Sequence, residues 1–277
     1  MSKFHKQVVL ITGASAGIGA ALAQEFYSQG ANIVLLARRA ERLATIAQKI
    51  DSTGKRVLTV ACDVTKDGDI ERAVELAHNK FKQKIDIAIA NAGWSLKGNL
   101  EDLTLTDYRR QWETNIFGVL RTIYATLDDL KETQGRLVIM SSVKSYISLA
   151  GDSPYSSSKF ALKALCESLS GELAPYGVSV SHICPGYVAT EIRKIDTQGV
   201  FHNDWNDHIS PILLKNAEKT AQQIVKAIHR RQREQVLTSY GKLVVLLKRY
   251  TPGLLLWLIS LLKIKAVAKV NPTNSTN

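Results

Sequence analysis

Short apolar segments alternate with amphipathic helical segments along most of the chain, and this alternation constrains the fold more than any other feature. Continuous apolar segments, without a polar residue at every second position, are typical of strands buried on both faces. A strand–helix–strand order requires parallel pairing through right-handed crossovers. The pattern therefore predicts a doubly wound α/β sheet of about seven parallel strands. The predicted strands are VVLITG (8–13), NIVLLAR (32–38), RVLTVACDV (56–64), IDIAIANAG (85–93), GRLVIMSS (135–142), VSVSHICPG (178–186) and EQVLTS (234–239).

The segments between these strands predict helices on both faces of the sheet. One helix carries Tyr155 near its start, and the others cover 17–30, 41–54, 69–81, 106–130 and 217–231. The stretch 187–216 is long and irregular, as segments that close over a site often are. Its apolar side chains predict a wall for a long or flat substrate, formed by Phe201, Trp205, Ile209, Ile212, Leu213 and Leu214.

A glycine-rich turn, TGASAGIG (12–19), joins the first predicted strand to the first helix. Gly13, Gly17 and Gly19 have the spacing G-x-x-x-G-x-G, which allows the backbone to turn tightly and to approach a pyrophosphate at the helix N-terminus. A tight turn without a ligand is the alternative interpretation. The strand before the turn and the helix after it favour a nucleotide site.

Arg38 and Arg39 end the second strand, where an acidic side chain would bind the ribose 2′-hydroxyl in an NAD site. Guanidinium groups bind a 2′-phosphate instead. These residues therefore predict NADP(H) as the cofactor, although Ala16 supplies no second cation from the glycine turn. A solvated surface turn is the alternative interpretation.

The third and fourth strands end in residues suited to the same cofactor. Asp63, in CDVT (62–65), is predicted to accept a hydrogen bond from an adenine amino group, with a strand-end cap as the alternative. The fourth strand ends in NAG (91–93), with Asn91 and Gly93, and the small residues there leave room for the cofactor. Open α/β sheets bind ligands at the carboxyl ends of their strands, so these residues are expected at one edge.

Tyr155 and Lys159 lie four residues apart in PYSSSKFALKAL (154–165), so both side chains project from one helical face. A free tyrosine has a pKa near 10 and forms little phenolate at neutral pH. A nearby ammonium group favours the phenolate and lowers that pKa, which makes the phenol a better general acid or base. The alternative is a helix that happens to expose both residues.

Four further segments place polar or small residues near this pair. Ser142 ends the fifth strand and could polarise a substrate carbonyl, while Asn115 in the long helix could hold a water for proton transfer to Lys159. Pro185 and Gly186 end the sixth strand, and Thr190 follows within reach of the nicotinamide amide. Each residue alone has a structural explanation, whereas their joint order is difficult to obtain by chance.

These motifs together resemble the short-chain dehydrogenase/reductase family over about residues 6–238. The resemblance implies that Tyr155 acts as general acid or base and that Ser142 orients the carbonyl or hydroxyl group. It implies that Lys159 binds the ribose and tunes Tyr155, and that Asn115 maintains the proton relay. It also implies cofactor contacts from Gly13, Ser15, Ile18, Arg38, Asp63, Asn91 and Val188.

The resemblance implies hydride transfer between nicotinamide C4 and a carbinol or carbonyl carbon, with reduction as the expected direction for NADPH. The fourth strand reads ANAG where many members have two asparagines before Ala-Gly, but Asn91 is kept. Two alternatives stay open. One is a 3-oxoacyl or small-carbonyl reductase, and the other is a non-catalytic NADP-sensing module.

The sequence predicts three regions: a Rossmann-type catalytic domain at 1–240, an apolar basic extension at 241–270 and a disordered tail at 271–277. The extension reads as two short helices split at Pro252-Gly253. Its apolar runs are shorter than the roughly 20 residues that cross a bilayer. We expect it to lie on a membrane surface, as in members acting on lipophilic substrates, with packing on the protein or a subunit partner as the alternative.

The charge distribution favours an anionic lipid surface over nucleic acid. The net charge is +11, and the segment after Gln235 has cations beside apolar runs and no Asp or Glu.

Cys62, Cys166 and Cys184 have no paired spacing, which indicates a reduced compartment and neither a disulfide framework nor a metal site. With no secretory signal, we expect a cytoplasmic, peripherally membrane-associated protein that forms a homodimer or tetramer.

Overall fold

A seven-stranded parallel sheet forms the centre of the protein, in the order β3-β2-β1-β4-β5-β6-β7. The structure is a computed structural model that describes residues 2–194, 209–210 and 213–261. The strand order reverses between β1 and β4, so a crevice opens there at the carboxyl edge. The prediction of a doubly wound parallel sheet is confirmed. The strands are β1 (Val8–Thr12), β2 (Asn32–Ala37), β3 (Val57–Ala61), β4 (Ile87–Ala90), β5 (Arg136–Met140), β6 (Ser179–Cys184) and β7 (Glu234–Val236).

Helices cover both faces of this sheet because each strand directs apolar side chains to both sides. In β1, Val9 and Ile11 belong to one apolar cluster, whereas Val8 and Leu10 belong to the other. Leu22 of α1 packs in the first cluster. The helices are α1 (Gly17–Ser28), α2 (Ala40–Ile50), α3 (Asp69–Phe81), α4 (Leu105–Trp112), α5 (Gly118–Glu132), α6 (Ser153–Leu173), α7 (Ala217–His229), α8 (Ser239–Tyr250) and α9 (Pro252–Leu261).

The prediction of one regular helix over 106–130 is wrong. The segment consists of α4, a π-helical turn at Glu113–Phe117, and α5. The apolar pattern continues through the turn, so periodicity alone does not reveal it. Asn115 lies in this turn and its buried amide bonds the backbone of Trp94, which supports a local departure from α-helical geometry.

The C-terminal extension forms two helices, as predicted, with Thr251 between them. Val245 and Leu255 pack in a third apolar cluster that includes Val143 and Tyr146, so the extension contacts the segment that follows β5. The opposite surface is exposed, and its large apolar side chains include Leu243, Leu246, Leu254, Leu256, Trp257 and Leu261. Among the described residues, no helix is both long enough and apolar enough to cross a membrane.

Several predictions fall wholly or partly on residues outside the described ranges. Phe201, Trp205 and Ile212 of the predicted apolar wall, residues 262–270 of the extension, and the tail at 271–277 lie outside them. Leu213 is described and is exposed.

Candidate active site

A cleft of about 520 Å³ opens at the carboxyl edge of the sheet, where the strand order reverses. The cleft is bordered by the glycine-rich turn after β1 and by the segments after β2, β3 and β4. It therefore brings together chain segments that are far apart in sequence. The predicted cofactor residues that line it are Gly13, Ser15, Gly17, Ile18, Gly19, Arg38, Arg39, Asp63, Asn91, Gly93 and Thr190.

The glycine-rich turn requires a residue without a side chain at Gly13. This residue has φ +65°, and a Cβ atom there would lie 2.8 Å from the Cα of Ala92. The Nδ2 atom of Asn91 donates hydrogen bonds to the carbonyl oxygens of Thr12 at 2.9 Å and Gly13 at 3.2 Å. Asn91 thus holds the turn against the end of β4. The resulting backbone cradle at the N-terminus of α1 fits the pyrophosphate of a dinucleotide.

The segment after β2 places guanidinium groups at the far end of the cleft. Arg38 is exposed, whereas Arg39 donates hydrogen bonds to Ser15 Oγ through Nε at 3.3 Å and NH2 at 3.0 Å. Arg39 and Arg42 also pair with the carboxylate of Glu191, at 3.2 and 2.7 Å. The predicted phosphate site therefore contains a carboxylate partner that the sequence did not indicate.

Asp63 and Thr190 both line the cleft. Asp63 Oδ1 accepts hydrogen bonds from the backbone N of Thr65 at 3.0 Å and from its Oγ1 at 2.8 Å, which is the strand-end cap that was the alternative. Thr190 lies against the glycine-rich turn, since its Cγ2 atom would be 2.9 Å from a Cβ atom on Gly17.

Tyr155 and Lys159 occupy the first two turns of α6, near the end of β5. The Nζ atom of Lys159 lies 5.6 Å from the centroid of the Tyr155 ring. The same atom donates a 3.0 Å hydrogen bond to the carbonyl oxygen of Met140, the last residue of β5. The ammonium group is thus held beside the phenol at the carboxyl edge of the sheet.

Burial lowers the pKa of Lys159 to about 8. The residue is only 6% exposed, so its charged form loses most of its hydration. A cation kept in such a position is costly, and groups with perturbed pKa values are concentrated at functional sites.

Asn115 is fully buried beside the same groups. Its Oδ1 accepts from the backbone N of Trp94, and its Nδ2 donates to the Trp94 carbonyl and to Ser158 Oγ, each at 3.1 Å. A Cβ atom on Gly93 would lie 3.1 Å from Asn115 Oδ1 and 3.8 Å from Lys159 Nζ. The structure therefore brings Asn115, Gly93 and Lys159 together behind the phenol.

Ser142 follows β5 and begins the short 3₁₀ turn Val143–Ser145, which packs on α6. Its Oγ accepts a 3.2 Å hydrogen bond from the backbone N of Lys144. Pro185 ties β6 to this turn, because its carbonyl oxygen accepts a 3.0 Å hydrogen bond from Val143 N. Ser142 thus lies on the segment that connects β5 to α6.

Three predicted cofactor residues lie at the end of β6 rather than along the 520 Å³ cleft: Pro185, Gly186 and Val188. Gly186 is in close contact with Tyr240 of α8, where a side chain would collide with the phenol. The Tyr240 hydroxyl also accepts a hydrogen bond from the backbone N of Tyr187. Helix α8, which continues into the extension, therefore contacts the candidate site through Tyr240.

Sequence reasoning missed residues that shape the cleft through pairing across the chain. Thr12 Oγ1 accepts hydrogen bonds from the backbone N of Asn91 and of Ala92, each at 3.0 Å. Glu191 pairs with two arginines, as described above. Thr12 was visible as the polar residue that ends β1, whereas no local signal links Glu191 to Arg39 across 152 positions.

The sequence model of the short chain dehydrogenase family matches residues 7–199. The chain belongs to this family. It is therefore an oxidoreductase of the short-chain dehydrogenase type, and the doubly wound sheet with its cleft is the fold that carries that chemistry.

Relatives and solved structures agree with this assignment. The chain is 34% identical over 263 residues to 11-beta-hydroxysteroid dehydrogenase 1A of Arabidopsis thaliana, covering 91% of this chain and 74% of the relative. It resembles the alcohol dehydrogenase of Thermococcus sibiricus complexed with 5-hydroxy-NADP, with a TM-score of 0.73, 27% identity and coverage of 84% and 96%. A Burkholderia phymatum short chain dehydrogenase/reductase in complex with NAD has the same fold, with a TM-score of 0.80, 21% identity and coverage of 98% and 100%.

Proposed function

We propose that this oxidoreductase uses NADPH to interconvert a ketone and a secondary alcohol on a lipophilic substrate. The observation that carries the proposal is the buried Lys159 ammonium, 5.6 Å from the Tyr155 ring and hydrogen-bonded to the end of β5. Within this arrangement Tyr155 is the general acid or base. Lys159 stabilises the phenolate form electrostatically, so that the phenol can give and regain a proton near neutral pH.

Ser142 and Asn115 support the phenol in this proposal. Ser142, on the turn between β5 and α6, orients the substrate oxygen by hydrogen bonding. Asn115 fixes Trp94 and Ser158 around Lys159, which holds the proton relay in place. Because proton donors must lie within hydrogen-bond reach of the reacting oxygen, fixed positions are as important here as a suitable pKa.

A nicotinamide cofactor held in this cleft would supply the hydride. The glycine-rich turn fits its pyrophosphate, and the remaining contacts would come from the residues that line the cleft and from Tyr155, Lys159, Pro185, Gly186 and Val188. Arg38 and Arg39 favour NADPH because both line the cleft and can bind a 2′-phosphate, and Arg39 is hydrogen-bonded to Ser15 of the glycine-rich turn. The relatives include structures with NADP-type and NAD cofactors, so the choice depends on this chain's own arginines.

The extension supports a lipophilic substrate drawn from a membrane surface. Its exposed face combines Leu246 (54% exposed) and Trp257 (58% exposed) with Lys242 and Arg249, a composition suited to anionic lipid headgroups. Its other face packs on the segment after Ser142. We propose residues 1–240 as the catalytic domain and 241–270 as this peripheral membrane contact. A curated relative is named 11-beta-hydroxysteroid dehydrogenase, which agrees with a lipophilic ketone or alcohol.

A substrate panel tests the reaction and the substrate class together. Full-length protein is mixed with NADPH and with sphingoid, steroid, retinoid and acetoacetyl-ester carbonyl compounds, and NADPH oxidation is followed by absorbance. We expect the highest kcat/KM for a lipophilic ketone. A short acyl substrate turned over faster would favour the alternative of a small-carbonyl reductase. NADPH binding without turnover of any compound would favour a non-catalytic NADP-sensing module.

Liposome flotation tests the membrane contact. We expect the full chain to float with vesicles containing phosphatidylserine, and the double variant Leu246→Asp/Trp257→Asp to lose most of that binding. Leu76→Asp on α3 is the matched control, because Leu76 is also an exposed apolar residue, at 41%, but lies outside the extension. Equal flotation of all three proteins, or no flotation of the full chain, would contradict the membrane contact. The extension would then have only a packing role.

We also propose that a second copy of the chain covers α5 and α6. Tyr124 on α5 and Phe160 on α6 are large exposed aromatic residues, at 72% and 41%. Light scattering after gel filtration should show a dimer or tetramer that Tyr124→Glu/Phe160→Glu dissociates. A monomeric wild-type protein would contradict this.

A further inference from the structure

Lys144 and Asp152 form an ion pair between the two segments that carry Ser142 and Tyr155. Lys144 lies in the 3₁₀ turn that begins at Ser142, and its backbone N donates to Ser142 Oγ. Asp152 is the N-cap of α6, three residues before Tyr155. The pair therefore links the two hydroxyl-bearing segments directly.

The pair is buried, which makes its geometry demanding. The side chain of Asp152 is 1% exposed and that of Lys144 is 17% exposed. Among the described residues, no other side chain forms an ion pair with Asp152, and neither of its carboxylate oxygens accepts a regular hydrogen bond. A buried carboxylate depends on its partner for compensation, so Lys144 cannot move away without a large penalty.

Other contacts secure α6 against α4 but do not act on the serine segment. Tyr108 of α4 hydrogen-bonds Ser153 at 2.6 Å, and Trp112 Nε1 donates to Ser157 Oγ at 3.3 Å. Lys159 of α6 also bonds the end of β5, through the 3.0 Å hydrogen bond from its Nζ atom to the Met140 carbonyl, but this contact lies before Ser142. Among the described residues, the Lys144–Asp152 pair is the ion pair that joins the turn after Ser142 to the N-cap of α6.

We propose that the Lys144–Asp152 ion pair positions Ser142 and Tyr155 so that both hydroxyls reach one substrate oxygen. The inference rests on the proposed reaction, in which these two side chains act on the same carbonyl. Lys144 and Asp152 touch neither substrate nor cofactor in this proposal and act only through their neighbours. A misplacement of about 1 Å can cost on the order of 100-fold in rate, so a rigid link of this kind has a measurable effect.

Kinetics of Lys144→Met and Asp152→Asn test the proposal. We expect kcat and kcat/KM for the ketone to fall together by about tenfold or more, because the interaction supports the transition state. The Kd for NADPH, measured by fluorescence, is expected to stay within about twofold, since the cofactor cleft is not involved. Lys144→Arg should retain most of the turnover because it keeps the charge.

Lys84→Met is the matched control. Lys84 also pairs with a buried carboxylate, that of Asp129 at 3.2 Å, but precedes β4 at the opposite edge of the sheet. Its turnover should stay within about twofold of wild type. Asp152→Asn keeps the test valid if Lys144→Met does not fold, because asparagine leaves no buried carboxylate, and the Lys144 side chain, at 17% exposure, keeps some contact with water. Wild-type kcat in Asp152→Asn would overturn the proposal.

A double-mutant cycle with Ser142→Ala separates positioning from general destabilisation. In the wild-type background, Asp152→Asn is expected to lower kcat by about tenfold or more. If Asp152 acts through Ser142, the same substitution should lower kcat by less than about threefold in the Ser142→Ala background. The same factor in both backgrounds would overturn the proposal. A different result, wild-type turnover by Tyr155→Phe, would contradict the proposed reaction itself. An active wild type, an inactive Tyr155→Phe and an undisturbed Asp152→Asn would overturn only the role of the ion pair.

Discussion

The two ends of the site use positive charge in different ways. At the proposed adenosine end of the cleft, after β2, Arg38 is exposed and the side chain of Arg39 is 38% exposed. At the chemical end, Lys159 is 6% exposed and Asn115 is fully buried. Exposed guanidinium groups keep their charge at little cost, whereas a buried ammonium group loses hydration and its pKa falls.

This difference indicates that the cations at the two ends of the site have different roles. Exposed cations contribute to binding and to the choice of ligand, and their effects are moderate and sensitive to salt. A buried cation in a fixed position acts strongly on its neighbour because the local dielectric is low. Substitutions at the chemical end should therefore change kcat, and substitutions at the adenosine end should change affinity.

Lys159→Met should produce the largest change. We expect kcat to fall by about 10²–10⁴-fold, since the phenol of Tyr155 loses the charge that stabilises its ionised form. At the same time the free energy of unfolding at pH 7 should rise, by up to about 3 kcal/mol, because the burial cost of the ammonium group is removed. Initial rates and denaturant titration measure the two effects.

The pH dependence of the difference in unfolding free energy between wild type and Lys159→Met tests whether the ammonium group is buried at a cost. The pKa of Lys159 is about 8 in the folded chain against 10.5 for the free group. The unfolded state therefore binds more protons between these values, and the stability of wild type relative to Lys159→Met should rise with pH across that window. A difference that is constant from pH 7 to 10.5, or a less stable variant at pH 7, would show that the ammonium group is not buried at a cost.

Arg38→Asp should produce a moderate change confined to cofactor choice. We expect the KM for NADPH to rise by about 10- to 100-fold and the preference to shift toward NADH, because a carboxylate repels the 2′-phosphate. Turnover at saturating NADH should resemble that of wild type. Kinetics with both cofactors at two salt concentrations measure this.

Arg39→Ala is the matched control for Arg38. Arg39 already pairs with Glu191 and Ser15, so its removal should affect NADPH affinity less than the change at Arg38. Unchanged kinetics with the two cofactors in Arg38→Asp would remove the claim of NADPH preference.

Of these substitutions, Val245→Ala on α8 should have the smallest effect on turnover. Val245 packs in the cluster under the Ser142 segment, so its truncation should lower the free energy of unfolding by about 1–2 kcal/mol. Leu246→Ala, one position along on the exposed face, should change it by less than about 0.5 kcal/mol. Thermal melting measures the pair, and equal effects would show that α8 is not docked on the protein.

The sheet and most of the candidate site could be predicted from the sequence because their signals are local. The apolar runs of β1 and β4 and the spacing of Gly13, Gly17 and Gly19 each lie within a few residues. The topology of a parallel sheet then brings the strand ends together without further information. Tyr155 and Lys159 were predicted as a pair for the same reason, since helical spacing places them on one face.

The features that could not be predicted depend on contacts between distant segments. The π-helical turn that contains Asn115 depends on the hydrogen bond between the Asn115 side chain and the Trp94 backbone. The apolar pattern of the sequence continues across this turn. Glu191 reaches Arg39 and Arg42 only after β6 returns to the same edge. The ion pair of Lys144 and Asp152 depends in the same way on the path between β5 and α6.

Single-turnover oxidation of bound NADPH by wild type and Tyr155→Phe tests the central claim most directly. Both proteins should bind NADPH with Kd values within about threefold of each other, because phenylalanine keeps the ring in place. With a ketone that wild type reduces, the variant should oxidise bound NADPH about 10²–10⁴-fold more slowly, since it lacks the proton donor. A variant that binds NADPH and retains more than about a third of the wild-type rate would contradict the account.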